Sequence, residues 1–241
     1  MHKRLVNFHT VMALPKVSFL SRGIYSLPEA SRLTKVSKGR IRRWLKGYDY
    51  RVGEARRHSD AVWQGGFEPI DGKIALSFLD LVEIRFVEEF LRAGVSWKTM
   101  RKTRARAREE LETEHPFCSN RFVTDGEKIL LREAKDNDDQ ILIDLLSNQQ
   151  EFRRIVEPFL KQLEFAEDQL ARWWPLGKDH SVVIDPLRNF GQPTAVSSGV
   201  PTQVLASSLR ANKSVEEVTR WYEVLPEEVK DAAAFEESLA A

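Results

Sequence analysis

The chain has 241 residues, 42% of them hydrophobic and 30% charged, and this length allows a sizeable core and two domains rather than one. The single cysteine, Cys118, excludes an intramolecular disulfide. No stretch approaches the roughly 18 apolar residues that span a bilayer, so we expect a soluble cytoplasmic protein with no signal peptide. Residues 1–110 carry 23 lysines and arginines and 12 acids, whereas residues 111–241 carry 14 lysines and arginines and 24 acids. This asymmetry favours a polyanionic partner for the basic part. The alternative is that the two parts neutralise each other in a compact fold.

Two short helices joined by a tight turn are predicted after an N-terminal tail of residues 1–24. Ser26 is the expected N-cap of the first helix, and Glu29 completes a capping box. Ser37 is positioned to cap the second helix, Lys38 to Lys46, which ends at Gly47. This spacing is typical of a helix-turn-helix.

The outward face of the second helix is basic, whereas Ile41, Trp44 and Leu45 share its inward face. From Arg32 to Arg57 the chain has ten lysines and arginines and two acids. Such residues on a helix can reach the phosphates or guanine edges of a major groove, although a solvated basic face on a structural helix pair is the alternative. The candidate DNA-binding residues are Ser37, Lys38, Arg40, Arg42, Arg43, Lys46, Arg51, Arg56, Arg57 and His58.

A wing is predicted after the second helix. Tyr48 to Val52 forms its first strand, Arg56 to Ser59 its basic tip, and Ala61 to Trp63 the return strand. Basic residues on a wing normally contact the phosphate backbone. We expect His58 to do the same, because it has no neighbouring His or Cys at metal-ligand spacing.

A longer helix follows from Ser77 to Leu91, and Ser96 caps a further basic helix that reaches Leu111. The arrangement resembles the DNA-binding head of the MerR family of bacterial regulators over residues 25 to about 111. The matching residues are Tyr25-Ser26-Leu27-Pro28-Glu29-Ala30, Val36-Ser37, Arg40-Ile41-Arg42-Arg43-Trp44, Gly47-Tyr48, Asp80-Leu81 and Arg92-Ala93-Gly94-Val95-Ser96. The resemblance implies a winged helix-turn-helix DNA-binding domain at residues 25–115.

The middle of the chain departs from that family, whose members continue into a long dimerising helix. His115-Pro116 stops the helix here, and Phe122 to Leu131 is predicted to form a hairpin around an Asp125-Gly126 turn. Ile141 to Leu146 either pairs with this hairpin or begins the next helix. Four acids lie close together in this part of the sequence: Asp136, Asp138, Asp139 and Asp144. Such a group suggests a metal-dependent nuclease site, but a solvated loop is the favoured interpretation. We expect residues 116–180 to be an α+β linking or dimerisation region.

The last third carries a second resemblance, to a small bacterial domain of unknown function whose members often accompany toxins with PIN-like folds. The matching residues are Val183-Ile184-Asp185-Pro186, Gly191-Gln192-Pro193 and Ser198-Gly199-Val200-Pro201-Thr202. The resemblance implies a short strand and turn followed by three helices over residues 181–241. The predicted helices run from Thr202 to Arg210, from Ser214, and from Pro226.

The predicted helices at the C-terminus are acidic, with eight acids and two basic residues between Glu216 and Glu237. This charge disfavours contact with phosphates. We therefore expect a dimerisation or toxin-binding surface, with Trp221, Tyr222 and Phe235 as its anchors, since aromatic residues are favoured at interfaces. The alternative is that these aromatic residues belong to the core.

The sequence thus predicts a mainly α protein with small β elements (α+β). A chain that combines these two domains is similar to antitoxins of VapBC-like pairs. This similarity implies a homodimer that binds double-stranded DNA at its own promoter and represses its operon. It also implies that the protein neutralises a PIN-like ribonuclease toxin. The alternative is a MerR-type regulator whose C-terminal part senses a ligand or protein and has no toxin partner. No nucleophile elbow, phosphate loop or ligand set suggests an enzyme, a metal site or a cofactor.

Overall fold

The fold is described from a computed structural model that covers residues 22–62, 65–136 and 157–240. Its helices are α1 (Leu27–Thr34), α2 (Lys38–Lys46), α3 (Phe78–Arg92), α4 (Trp97–Leu111), α5 (Asn120–Asp136), α6 (Thr202–Asn212), α7 (Val215–Tyr222) and α8 (Pro226–Ala240). Its strands are β1 (Tyr25–Ser26), β2 (Tyr48–Val52), β3 (Ala55–Ser59), β4 (Ala75–Leu76), β5 (Leu163–Ala166), β6 (Gln169–Trp173), β7 (Val182–Ile184) and β8 (Pro193–Ala195). The predicted fold class, mainly α with small β elements, is confirmed.

Helices α1 and α2 begin at the predicted capping residues. The Ser26 hydroxyl accepts a hydrogen bond from the Glu29 amide, and the Glu29 carboxylate accepts one from the Ser26 amide at 2.7 Å. The Ser37 hydroxyl accepts a hydrogen bond from the Arg40 amide at 3.3 Å. Because Trp44 is buried on the inner side of α2, the helix is fixed with its basic residues outward.

The wing is shorter than predicted. Strands β2 and β3 pair antiparallel from Tyr48 opposite Ser59 to Val52 opposite Ala55. The tip is therefore Gly53 and Glu54, and the predicted basic tip, Arg56 to Ser59, is itself the return strand. The predicted return strand was wrong for Ala61 and Val62, which lie outside any strand; Trp63 lies outside the described residues. Gly53, with a φ of 62°, allows the early turn that the sequence prediction missed.

Helix α3 runs through the centre of the N-terminal part and carries buried charges as well as apolar residues. The Glu83 side chain is fully buried and accepts hydrogen bonds from Arg104 of α4 at 3.0 and 3.2 Å. His115 Nδ1 lies 3.3 Å from the same Glu83 oxygen. A buried charge needs such partners, because desolvation without compensation costs several kcal/mol. This cluster fixes α4 against α3.

Helix α5 replaces the predicted hairpin, which was wrong. The residues of this helix that are described as buried recur at helical spacing; they are Phe122, Gly126, Ile129 and Leu130. Gly126 is not a turn residue but the point where the Phe122 ring packs onto the helix, and a Cβ there would lie 2.7 Å from the ring. The adjacent apolar run, Ile141 to Leu146, lies outside the described residues, as do the acids Asp138, Asp139 and Asp144. Asp136 forms an ion pair with Arg106 at 2.6 Å.

The C-terminal part combines a four-stranded antiparallel sheet with the three expected helices. The strand order is β5-β6-β7-β8. Strand β7 was predicted, whereas β5 and β6 were not. Helix α8 packs against α6 and α7, and Val218, Val224 and Val229 are buried between the helices.

The N-terminal and C-terminal parts share a continuous core. Tyr25 is 3% exposed and donates a hydrogen bond to the Gly191 carbonyl at 2.6 Å. Arg32 of α1 contacts Glu236 of α8 at 3.3 Å, and Phe235 beside it is buried in the same core as α1. Burial raises the pKa of the Tyr25 phenol well above its usual range, so the group remains a hydrogen-bond donor.

Residues 22–62, 65–136 and 157–240 contain neither a candidate membrane span nor a candidate metal cluster. No helix there has both the length and the apolar character to cross a membrane. No group of three or more histidine, cysteine and acidic side chains in these segments is arranged to hold a metal ion.

Candidate nucleic-acid interface

Three cations lie one turn apart along the outer surface of α2. They are Lys38, Arg42 and Lys46, and all three are exposed. The i, i+4, i+8 spacing places them on one line of the helix. None of the three forms an ion pair with any residue in the described segments, so the line is available to an anionic ligand.

Two other predicted DNA-binding residues of this helix are occupied by structural contacts. The Ser37 hydroxyl caps the helix. Arg40 is half-buried, contacts Glu88 of α3 at 2.9 Å and lies 5.4 Å from the Trp44 ring centre. Arg40 therefore fixes the orientation of α2 relative to α3.

A groove of about 350 Å³ lies beside α2, between the first residue of the wing, the end of α3 and the start of α4. Two arginines and three aromatic rings lie along it, together with one leucine: Arg40, Arg43, Trp44, Tyr48, Leu91 and Trp97. Trp44 and Trp97 stack with their ring centres 5.0 Å apart, and the Arg43 guanidinium lies 5.7 Å from the centre of the Tyr48 ring. Aromatic and cationic groups therefore share one concave surface beside the basic line of α2.

The four predicted basic residues of the wing, Arg51, Arg56, Arg57 and His58, are all exposed but do not share one environment. Asp49 accepts hydrogen bonds from Arg56 at 2.6 Å and from His58 at 2.7 Å. The bonds from His58 and Arg56 hold the pKa of Asp49 below its usual value, so this carboxylate stays charged. The charge of Arg56 is thus partly neutralised within the wing, and His58 is hydrogen-bonded to the same carboxylate.

The three predicted partner-binding residues differ in how far they are exposed. Trp221 is 56% exposed at the end of α7, whereas Phe235 is 2% exposed and belongs to the core. Tyr222 is half-buried, and its hydroxyl lies 2.9 Å from the Ser208 hydroxyl. The sequence left open whether these aromatic residues belong to an interface or to the core. Phe235 belongs to the core, whereas Trp221, beside exposed Leu225, is still a candidate for partner binding.

Sequence reasoning missed several residues of this surface. Trp97 and Arg101 of α4 approach the wing, and the Arg101 guanidinium donates a hydrogen bond to the Ser59 hydroxyl at 3.4 Å. The aromatic side chains of Tyr48 and Tyr50 are exposed. The alternation of side chains along the two wing strands could have indicated these exposed residues. Because the return strand was predicted at the wrong residues, this alternation was not recognised.

Comparison with known proteins gives the chain a family. "Putative antitoxin VapB45" from Mycobacterium tuberculosis is 31% identical over 220 residues, which cover 87% of this chain and 92% of that protein. This chain belongs to the VapB45 family. The X-ray crystal structure of Rv2018 from Mycobacterium tuberculosis matches with a TM-score of 0.65 and 25% identity, covering 86% of this chain and 96% of that one.

A narrower match lies at the C-terminus of this VapB45 family member. Residues 182–235 fit the family described as a protein of unknown function, DUF433. The match runs from β7 into α8, so it includes Trp221 and the exposed turn after β7. The predicted unknown-function domain is thereby confirmed, whereas the MerR-like character of the head stays a prediction.

Proposed function

We propose that this protein is a DNA-binding antitoxin that neutralises a PIN-like ribonuclease toxin and represses its own operon as a cytoplasmic homodimer. The observation that carries the proposal is the similarity to VapB45 over 92% of that protein, in a chain whose second helix presents an unpaired line of cations. The head and the tail then have different tasks. The head binds operator DNA, and the acidic tail binds the toxin.

The DNA-binding half rests on α2 and its surroundings. Lys38, Arg42 and Lys46 lie where a helix in the major groove meets phosphates and base edges. A homodimer would present two such helices to half-sites about 34–36 Å apart, which is one turn of the duplex. Arg43 beside the groove would contact the adjoining backbone.

The test is a binding titration with the promoter fragment upstream of the protein's own gene. Arg42→Gln should weaken binding about tenfold or more at low salt, because it removes a charged contact. Arg210→Gln removes a charge from α6 that is also exposed and serves as the control, with no expected effect. If the wild-type protein does not bind the fragment at low salt, the DNA-binding half is wrong.

The toxin-binding half rests on the acidic surface around α7 and the start of α8. Trp221 and Leu225 are 56% and 55% exposed, and Glu217, Glu223 and Glu227 flank them. An exposed aromatic residue in an acidic segment of the chain suits a basic, partly apolar segment of another protein. The product of the adjacent reading frame is the partner to test.

The second test measures inhibition of the adjacent gene product as a ribonuclease. Trp221→Ala should raise the concentration needed for half-inhibition about tenfold, since interface anchors typically contribute more than 1 kcal/mol. Leu187→Ala removes a side chain that is 71% exposed elsewhere in the same domain and is the control. If the wild-type chain neither copurifies with that product nor inhibits it, the antitoxin half is wrong.

A further inference from the structure

The wing has two chemically different faces. Side chains alternate along a strand, and directly paired residues share a face. One face, here named the aromatic face, consists of Tyr48, Tyr50, Val52, Ala55, Arg57 and Ser59. The other, here named the Asp49 face, consists of Asp49, Arg51, Arg56 and His58. Neighbouring residues Arg56 and Arg57 therefore point in opposite directions.

The base of the aromatic face, Tyr48 and Ser59, contacts α2 and α4. Tyr48 lies in the groove with Arg43 and Trp97, and the Tyr50 ring lies 5.8 Å from the Tyr48 ring. The contact between Arg101 and Ser59 joins the base of the same face to α4. The base of this face, at Tyr48, thus adjoins the groove beside α2.

The aromatic face exposes apolar surface in a strongly basic region. Tyr48, Tyr50 and Val52 are 37%, 39% and 53% exposed. Arg43 and Arg57 lie beside them, and neither forms an ion pair with a described residue. The occupant that matches apolar groups alternating with cations is a sugar–phosphate strand, because its deoxyribose rings are apolar and its phosphates anionic.

The Asp49 face has no aromatic residue, and Arg51 on it forms no ion pair with a described residue. The Asp49 carboxylate on this face is fixed between Arg56 and His58. The three side chains cross-link β2 to β3, which holds the short hairpin in one shape. A two-stranded hairpin needs such support, since it is only marginally stable by itself.

We propose that the aromatic face of the wing, with Arg57, lies against one sugar–phosphate strand of the DNA, while Asp49, Arg56 and His58 brace the wing away from the DNA. The inference rests on the proposed DNA-binding function and adds the side of the wing that meets the ligand. It also divides the sequence-predicted residues: Arg57 is a contact, and Arg56 and His58 are positioning residues.

The experiment compares Arg57→Ala with its neighbour Arg56→Ala in titrations of the promoter fragment over a series of salt concentrations. Arg57→Ala should weaken binding about tenfold and lower the slope of log K against log salt by about one, because one phosphate contact is lost. Arg56→Ala should weaken binding clearly less than Arg57→Ala and leave the slope unchanged, because Arg56 pairs with Asp49 and positions the wing without contacting a phosphate. Thermal unfolding of each variant identifies any that fails to fold.

Tyr50 supplies a second, uncharged probe of the same face. Tyr50→Ala should weaken binding about fivefold to tenfold without changing the salt slope, because it removes apolar contact and no charge. Tyr50→Phe keeps the ring and should restore wild-type affinity. Loss of affinity in the phenylalanine variant equal to that in the alanine variant would assign the effect to the hydroxyl and contradict the proposal.

The outcomes separate this inference from the proposed function. Equal losses for Arg56→Ala and Arg57→Ala, with the wild type still binding, would overturn the face assignment alone. A wild-type protein that does not bind the fragment would overturn both. If the variants of this face bind DNA normally and instead lose a protein partner, the aromatic face is a protein interface and the inference is wrong.

Discussion

Replacing Arg104 with methionine tests whether the buried charges below the head hold α3 and α4 together. The Glu83 side chain is fully buried, and Arg104, whose own side chain is 5% exposed, donates two hydrogen bonds to one of its oxygens. Arg104→Met would leave that carboxylate buried with His115 as its remaining charged neighbour. Removing one partner of a buried ion pair typically costs about 3–5 kcal/mol, so we expect the free energy of unfolding to fall by that amount.

The double variant Glu83→Gln/Arg104→Met is the control. It removes both charges, so its loss of unfolding free energy should be well below the sum of the two single losses. The assay is urea unfolding followed by tryptophan fluorescence. A loss below about 1 kcal/mol for Arg104→Met, which is typical of an exposed pair, would refute the reasoning, and so would additive single losses.

The pH dependence of the same variant gives an independent check through His115. Burial lowers the pKa of His115, but the hydrogen bond and charge of Glu83 outweigh this effect, and the pKa is raised above 6.5. The protonated imidazole therefore stabilises the fold below the ordinary pKa, and the stabilisation is lost as the pH rises through the folded-state value. The cost of Arg104→Met should accordingly grow as the pH rises above the ordinary histidine pKa of 6.5, because the cationic neighbour of Glu83 is lost as His115 deprotonates.

Three further substitutions are expected to change the free energy of unfolding in urea titrations. Ser37→Ala removes the N-cap of α2 and should cost about 1 kcal/mol, whereas Ser37→Asp should retain most of it. Gly126→Ala should destabilise the protein despite a helix-propensity gain of about 1 kcal/mol, because the added Cβ lies 2.7 Å from the Phe122 ring; a gain would contradict the packing. Phe190→Gly should stabilise it by up to about 1 kcal/mol, because Phe190 has a φ of 56° and is 54% exposed; a loss would show that the ring has a structural contact.

The helix pair α1 and α2 was predictable because its signals are local. The Ser26 and Ser37 caps and the apolar spacing of Ile41 and Trp44 each lie within one or two turns of helix, and tertiary contacts reinforce them. The outward direction of Arg42 followed from the same spacing. By contrast, the ion pair that occupies Arg40 joins residues 48 positions apart, and nothing near Arg40 in the sequence indicates it.

The errors lie where a local signal was overridden by packing. Asp125-Gly126 has the composition of a tight turn, but the buried residues from Phe122 to Leu130 follow helical spacing and pack beneath α3 and α4. Strand β5 pairs with β6 through a bulge between Glu164 and Phe165, which breaks the alternation that identifies a strand. The burial of Phe235 depends on α1, some 200 residues earlier in the chain, and so has no local signature.

The hydrogen bond from Tyr25 to the Gly191 carbonyl has a consequence for how such chains diversify. It joins the first strand of the head to the turn after β7 across 166 positions, and a Cβ at residue 191 would lie 2.2 Å from the phenol oxygen. If the N-terminal part were replaced by that of a relative, it would no longer fit this turn unless the residues at both ends of the contact were replaced with it. The N-terminal and C-terminal parts are therefore expected to be exchanged only as a matched pair, and chimaeras joined between α5 and β5 should be less stable unless they also carry the tyrosine and the glycine.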